Sequence, residues 1–262
     1  MPATSGSGMS LEKRKKIRLD QLLVERGSAS SVDKARALIL ARAVKVNGES
    51  VDRADAKVPV DADIAMKGEE HPYVSRGGLK LQGALAHFSL DVNGECALDV
   101  GASTGGFTDC LLQAGARRVL AVDVGYGQLA WKLRQDKRVT VIERMNIRHY
   151  DGRDIDEAPS LAVIDVSFIS LKTVLPAVLE LLSDKARVLA LIKPQFEARR
   201  EEVGPDGVVA DEAIRKRVVE EICDFCRSIH LAVEGTCTSP IAGPAGNKEF
   251  FILVRKGGGD GD

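Results

Sequence analysis

CALDVGASTGGFTD, residues Cys96 to Asp109, sets a short apolar run, a turn with three glycines and the first residues of a helical pattern in direct succession. Glycine lets the backbone turn tightly and approach a ligand closely, and the helix that follows presents unpaired N–H groups at its start. The segment therefore reads as a strand, a ligand-binding loop and a helix. The dinucleotide fingerprint G-x-G-x-x-G would require glycine where Ser103 stands, so the loop departs from it.

Working outward, β-branched runs alternate with helical patterns from Ser75 onward: CALDVG, RVLAVDVG, VTVIERM, LAVIDVSF, ARVLALIKP, LAVEGTCTS and EFFILVRK. Strands spaced by helices predict a doubly wound α/β sheet of seven mostly parallel strands, with the last two forming an antiparallel edge. Ligands bind such sheets at the carboxyl ends of the strands, so the residue following each apolar run matters most. Asp123 follows the second run, where a carboxylate accepts both hydroxyls of a ribose; dinucleotide and S-adenosylmethionine binders share that geometry, and Asp123 does not choose between them. Asp165 in VIDVSF and Lys193 in LIKPQFE follow later runs, and Glu249 in NKEFF stands just before the last one. Lys80 lies in SRGGLKLQGALAHF, where Leu81, Ala84, Leu85 and Phe88 have the spacing of a helix packed on a core. Singly, each of these polar groups reads as a cap, an ion pair or a solvated residue. Together they bring two lysines and two carboxylates to one edge of one sheet.

Ahead of this region, Ile17 to about Lys67 reads as a helix (LDQLLVERG), a Ser-rich break, a second helix capped near Ser31, and the short strands VKVNG and ADIAM. Between Leu11 and Gly48 ten Lys/Arg stand against four Asp/Glu, a local charge of +6 in a chain whose net charge is −1. A basic face of that kind attracts phosphate backbones through counterion release. The expected organisation is a disordered basic extension over 1–16, a small basic α+β domain over 17–68, a linker over 69–75, the α/β domain over 76–256 and a disordered tail over 257–262. No apolar run approaches a membrane span and the start lacks the apolar stretch of a signal peptide, so a cytoplasmic protein is expected. The five cysteines are scattered; Cys223 and Cys226 form a CxxC inside a strongly helical stretch with no second pair at metal spacing, and read as core residues.

The loop Asp99 to Asp109 resembles motif I of S-adenosylmethionine-dependent methyltransferases, and Lys80, Asp165, Lys193 and Glu249 reproduce in order the K-D-K-E tetrad of FtsJ-like ribose 2'-O-methyltransferases. With VIDVSFISL, IKPQFE and GNKEFF, the sequence from Ile17 to Lys256 resembles the TlyA (haemolysin A) family, which methylates cytidine riboses in ribosomal RNA. Its first part, IRLDQLLVERGSASSVDKARALI with VKVNG, is similar to an RNA-binding domain first seen in the fourth small-subunit ribosomal protein.

The resemblance implies a class I, Rossmann-like methyltransferase sheet, S-adenosyl-L-methionine as methyl donor, and ribosomal RNA or ribosomal subunits as partner. It implies a cofactor set of Asp99, Gly101, Ser103, Gly105, Asp123, Asn146 and Asp165. Gly101, Ser103 and Gly105 would lie near the methionine end, Asp123 on the ribose, and Asn146 of ERMNIR by the adenine. Lys193 would face the ribose hydroxyl as base or polarising donor, with Asp165 and Glu249 orienting the lysines and Lys80 placing the ribose. Where the RNA-binding fold commonly has glycine after its second helix, this sequence has Arg42, so an altered helix stop is expected there. Other classes fit less well. A catalytically silent RNA-binding factor has no need of loop and tetrad, a membrane-lytic protein needs an apolar span or a strong amphipathic surface helix, and a nicotinamide oxidoreductase is disfavoured by Ser103.

Overall fold

The computed structural model describes residues 16–66, apart from positions 27, 30, 48, 61 and 63, and residues 71–257. The expected extension over 1–15 and the last five residues of the tail lie outside the described residues. The chain divides into two compact units after Glu70.

The first unit runs β1 (Lys16–Arg18), α1 (Leu19–Glu25), α2 (Val32–Leu40), β2 (Val44–Val46), β3 (Glu49–Ser50), β4 (Lys57–Pro59) and β5 (Ile64–Met66). Lys16, assigned from sequence to the extension, instead opens β1, which pairs antiparallel with β4; β2 lies between β3 and β5. Helical spacing gathers Leu19, Leu22 and Leu23 of α1 and Ala35 and Ile39 of α2 into one core with Val44, Val46 and Val58. Ser31 caps α2 by accepting the Lys34 N–H at 3.2 Å. The stop after α2 is not altered by the missing glycine. Arg42 itself takes the left-handed conformation (φ +54°), Arg42 N–H bonds to Ile39 O at 2.9 Å, and Ala43 N–H bonds to Leu38 O at 3.0 Å. Asp20 is fully buried and accepts from both the Arg18 and Arg36 guanidiniums; the Arg18 hydrogen bond is the main cause holding its carboxyl down to about 2.

The second unit comprises α3 (Gly77–His87), β6 (Cys96–Val100), α4 (Gly106–Gln113), β7 (Arg118–Val122), α5 (Trp131–Arg134), β8 (Val139–Ile142), β9 (Leu161–Ile164), α6 (Leu171–Leu181), β10 (Arg187–Ile192), α7 (Pro194–Glu197), α8 (Glu212–Ser228), β11 (Ala232–Thr238) and β12 (Phe250–Arg255). All seven expected strands form one sheet in the order β11-β12-β10-β9-β6-β7-β8. The strands from β6 to β10 are mutually parallel, and β12 runs antiparallel to both β10 and β11. The reversed strand is thus one in from the edge. Strand order changes direction between β6 and β9, the place where open α/β sheets leave a crevice.

Every residue of β6 and β9 is buried, as central strands covered on both faces require. Alternate side chains sort to opposite faces. Leu98, Val100, Ile164 and Ile192 pack with α6 and α8 on one side, where Cys223 and Cys226 also lie; Ala97, Val163, Leu191 and Phe251 pack with α3 and α4 on the other.

Residues 71–75, expected as linker, are built into this unit. Val74 N–H donates to the Asp109 carboxylate at 2.8 Å, and Tyr73 fills the space where a Cβ on Gly78 would be. A Cβ on Gly106 would lie 2.9 Å from the Gly78 nitrogen and 3.1 Å from the Gly77 Cα, so these glycines let the starts of α3 and α4 meet. Among the described residues, no helix is long and apolar enough to cross a membrane.

Phe251 is fully buried and its ring centroid lies 6.1 Å from that of Phe107. Phe251→Ala should cost about 3–5 kcal/mol, read as a lower urea midpoint with an unchanged denaturant slope.

Candidate active site

Strand direction assembles the site. Asp123, Asp165 and Lys193 are the first residues beyond β7, β9 and β10, so all three emerge at the carboxyl edge of the parallel strands. Glu249 reaches the same edge because β12 is reversed: Phe250 pairs with Ile192, which puts the residue before Phe250 level with the residue after Ile192. Lys80 comes from α3, whose apolar face rests on the sheet.

The loop after β6 uses its glycines structurally. Gly101 (φ +86°) passes so close to the Asp165 carbonyl oxygen that a Cβ would overlap it, and Gly105 (φ +97°), at the start of α4, packs where a Cβ would overlap Leu133. Ser103 also takes a left-handed conformation (φ +49°), and its N–H donates to Asp123 Oδ2 at 2.8 Å. Gly125 N–H donates to Asp123 Oδ1 at 2.6 Å, so one carboxylate closes two loops. Beside them lies a cavity of about 540 Å³, whose walls include Gly101, Ser103, Asp123, Asn146, Asp165 and Ser167. The Asn146 side-chain oxygen accepts the Arg148 N–H at 3.1 Å.

Two members of the expected cofactor set do not face this cavity. Gly105 lies under Leu129 and Leu133. Asp99 is fully buried, accepts the Thr108 hydroxyl at 2.6 Å, and keeps its Oδ1 without a hydrogen-bond partner among the described residues. Burial pushes its carboxyl up to about 7. Both support the loop from below.

The tetrad sorts into two ion pairs. Lys80 Nζ meets Glu249 Oε2 at 2.6 Å, and Lys193 Nζ meets Asp165 Oδ1 at 2.5 Å. Lys80 and Lys193 are 7% and 8% exposed and Glu249 is fully buried, a condition charged groups tolerate only when matched. Glu249 Oε1 lies against Gly243, where a Cβ would overlap it.

Sequence reasoning missed two partners. Ser167 Oγ accepts from Lys193 Nζ at 2.9 Å. Glu197, half-buried, accepts the Ser170 hydroxyl at 2.6 Å and the Leu171 N–H at 2.7 Å, and burial raises its pKa. Each lies in a stretch already singled out, VIDVSF and IKPQFE, and their position just past strand ends was the available signal.

Residues 73–256 match the FtsJ-like methyltransferase family, and residues 17–64 match the S4 domain. The chain is 47% identical to a candidate rRNA methyltransferase, YqxC, of Bacillus subtilis, over 92% of this chain and 86% of that protein. It is 45% identical to the 16S/23S rRNA (cytidine-2'-O)-methyltransferase TlyA of Mycobacterium tuberculosis, over 92% of this chain and 90% of that one. A solved structure of a candidate hemolysin from Streptococcus thermophilus is similar with a TM-score of 0.72 and 45% identity, covering 93% of this chain and 89% of the other.

Asp99 makes stability depend on pH. An acid whose pKa is raised by folding, here from 3.8 to about 7, contributes stability that is fully present below about 4 and is lost as the pH rises through about 7. Asp99→Asn keeps an oxygen acceptor for Thr108 but cannot ionise. The loss of urea stability between acid and alkaline buffers should therefore be smaller in Asp99→Asn; equal losses in both proteins would contradict this assignment.

Proposed function

Because the chain belongs to the FtsJ-like methyltransferase family and carries an S4 domain ahead of it, we propose that it is an S-adenosylmethionine-dependent methyltransferase acting on the ribose 2'-hydroxyl of cytidine in ribosomal RNA. The observation that supports this most is the Lys193–Asp165 ion pair standing at the strand edge where Asp165 also lines the glycine-walled cavity. One residue thereby borders both the cavity and the lysine.

The cavity suits the proposed donor. Its volume of about 540 Å³ falls in the range of small-molecule sites. The Asp123 carboxylate accepts two backbone N–H groups and, with about four lone-pair sites, can accept the hydroxyls of a ribose as well. Gly101 and Ser103 would border the methionine end and Asn146 the adenine. Bound there, S-adenosylmethionine would supply a methyl group on a positively charged sulfur.

A ribose hydroxyl is a weak nucleophile, so the protein's part is alignment and control of charge. Lys193, paired with Asp165, would face that hydroxyl as base or polarising donor. A hydrogen bond from it to the 2'-oxygen fixes the direction of the oxygen's remaining lone pair. Transfer of the donor's methyl group to that oxygen would leave the donor as a neutral thioether and release the hydroxyl proton, which solvent or a neighbouring base would take up. Asp165 holds the Lys193 head group in place, while Lys80, held by Glu249, helps to place the ribose.

In the S4 unit, Lys34 and Lys45 are exposed, and Asp20 fixes the Arg18 and Arg36 guanidiniums. Such a surface contributes affinity for phosphates whatever the sequence.

Two outcomes follow. Lys193→Ala should lower methyl transfer about a hundredfold or more while S-adenosylmethionine affinity stays within a few-fold, and Lys193→Arg, which keeps the charge, should retain more turnover than alanine. A tritium-transfer assay reads both, and near-normal turnover by Lys193→Ala refutes the assignment. Charge reversal at Lys34 and Lys45 should weaken ribosomal RNA binding and flatten its salt dependence, with cofactor affinity unchanged; unaltered salt dependence would remove the S4 unit from substrate binding.

A further inference from the structure

A lysine ammonium has three N–H donors on a flexible stem. Lys193 Nζ has two contacts of different kinds: an ion-pair contact with Asp165 Oδ1 at 2.5 Å, which lacks the geometry of a hydrogen bond, and a hydrogen bond donated to Ser167 Oγ at 2.9 Å. The three N–H bonds turn together about the Cε–Nζ bond, so one directed hydrogen bond sets the headings of the other two, whereas a charge contact without hydrogen-bond geometry does not.

We propose that Ser167 is a positioning residue for methyl transfer, one that fixes the direction of the Lys193 donor meeting the ribose hydroxyl; the proposal rests on the ribose 2'-O-methyltransferase reading above. Charge does not account for the serine, because Asp165 alone neutralises the lysine. Core packing does not account for it either, since Ser167 is exposed and on the wall of the cavity. What Ser167 adds to the Asp165 contact is a directed hydrogen bond, and therefore an angle.

The loop that carries Ser167 is held without it. Glu197, at the end of the turn that begins with Lys193, accepts from Ser170 and from the Leu171 N–H at the start of α6. At the other end of the loop, the Asp165 N–H bonds to Val100 O at 2.9 Å, and Gly101 packs on the Asp165 carbonyl. Removing the Ser167 hydroxyl should leave the loop in place and the ion pair intact, and free only the rotation of the ammonium. Misplacement of a reacting group by about 1 Å can cost on the order of a hundredfold in rate.

The test compares Ser167→Ala, Ser167→Thr and Lys193→Ala in the full-length protein, using single-turnover methyl transfer to ribosomal RNA, its RNA-concentration dependence, and calorimetric binding of S-adenosylhomocysteine. Ser167→Ala is expected to slow the transfer step roughly ten- to a hundredfold while half-saturation by RNA and the calorimetric affinity stay within about twofold. Ser167→Thr, which keeps the hydroxyl, is expected to restore most of the rate. If Ser167→Ala transfers at the normal rate while Lys193→Ala is inactive, the role of Ser167 is overturned and the methyltransferase reading stands. If Ser167→Ala instead loses cofactor affinity with an unchanged transfer step, Ser167 is a cofactor contact and the proposal is equally overturned. Normal transfer by Lys193→Ala would overturn the underlying reading itself.

Discussion

Two lysine ammonium groups lie in the interior of the second unit, each within 2.6 Å of a carboxylate, and the local architecture follows from keeping them matched. Removing one partner of a buried ion pair leaves an uncompensated charge, which is far more costly than never burying the pair. Asp165 and Lys193 meet because β9 and β10 are parallel neighbours that end at the same edge. Glu249 and Lys80 meet for a different reason. β11 brings the chain to that edge and the reversed β12 starts there, directly after Glu249, while α3 delivers the lysine from the face of the sheet.

Close backbone approach makes room for this arrangement. Gly77, Gly78 and Gly106 let α3 and α4 start against each other, and Gly101 lets the loop after β6 lie on the Asp165 carbonyl. Asp123 then draws the loops after β6 and β7 together through the Ser103 and Gly125 N–H groups. The cavity is what these constraints leave open, and Asp165 stands between it and Lys193. Asp99 beneath the loop is buried, with the Thr108 hydroxyl as its side-chain partner among the described residues, and burial raises its pKa.

The central strands were legible because each is a short apolar run whose burial on both faces leaves no polar alternation to confuse the reading. Asp123, Asp165 and Lys193 were legible as first residues beyond such runs. Which lysine meets which carboxylate was not, since that depends on the register of β12 against β10, a pairing of residues far apart in the chain. Ser167 and Glu197 were hidden for the same reason: both bonds join the β9–α6 loop to the turn after β10. Asp99 and Gly105 match the loop motif but support it from beneath, because a motif gives spacing and not the side on which a side chain lies. At Arg42 a missing glycine suggested a changed helix stop, yet the two backbone hydrogen bonds of the stop form with a non-glycine residue left-handed there.

The central claim is that paired, buried lysines at this edge serve transfer of a methyl group to a ribose hydroxyl of ribosomal RNA. The most direct measurement is nucleotide-resolution mapping of the label after purified protein, isotopically labelled S-adenosylmethionine and ribosomal subunits are incubated together. The account predicts label on the 2'-oxygen of cytidine, reduced about a hundredfold or more when Lys193 is replaced by alanine; label on a base atom, or undiminished 2'-O label without the Lys193 side chain, would contradict it.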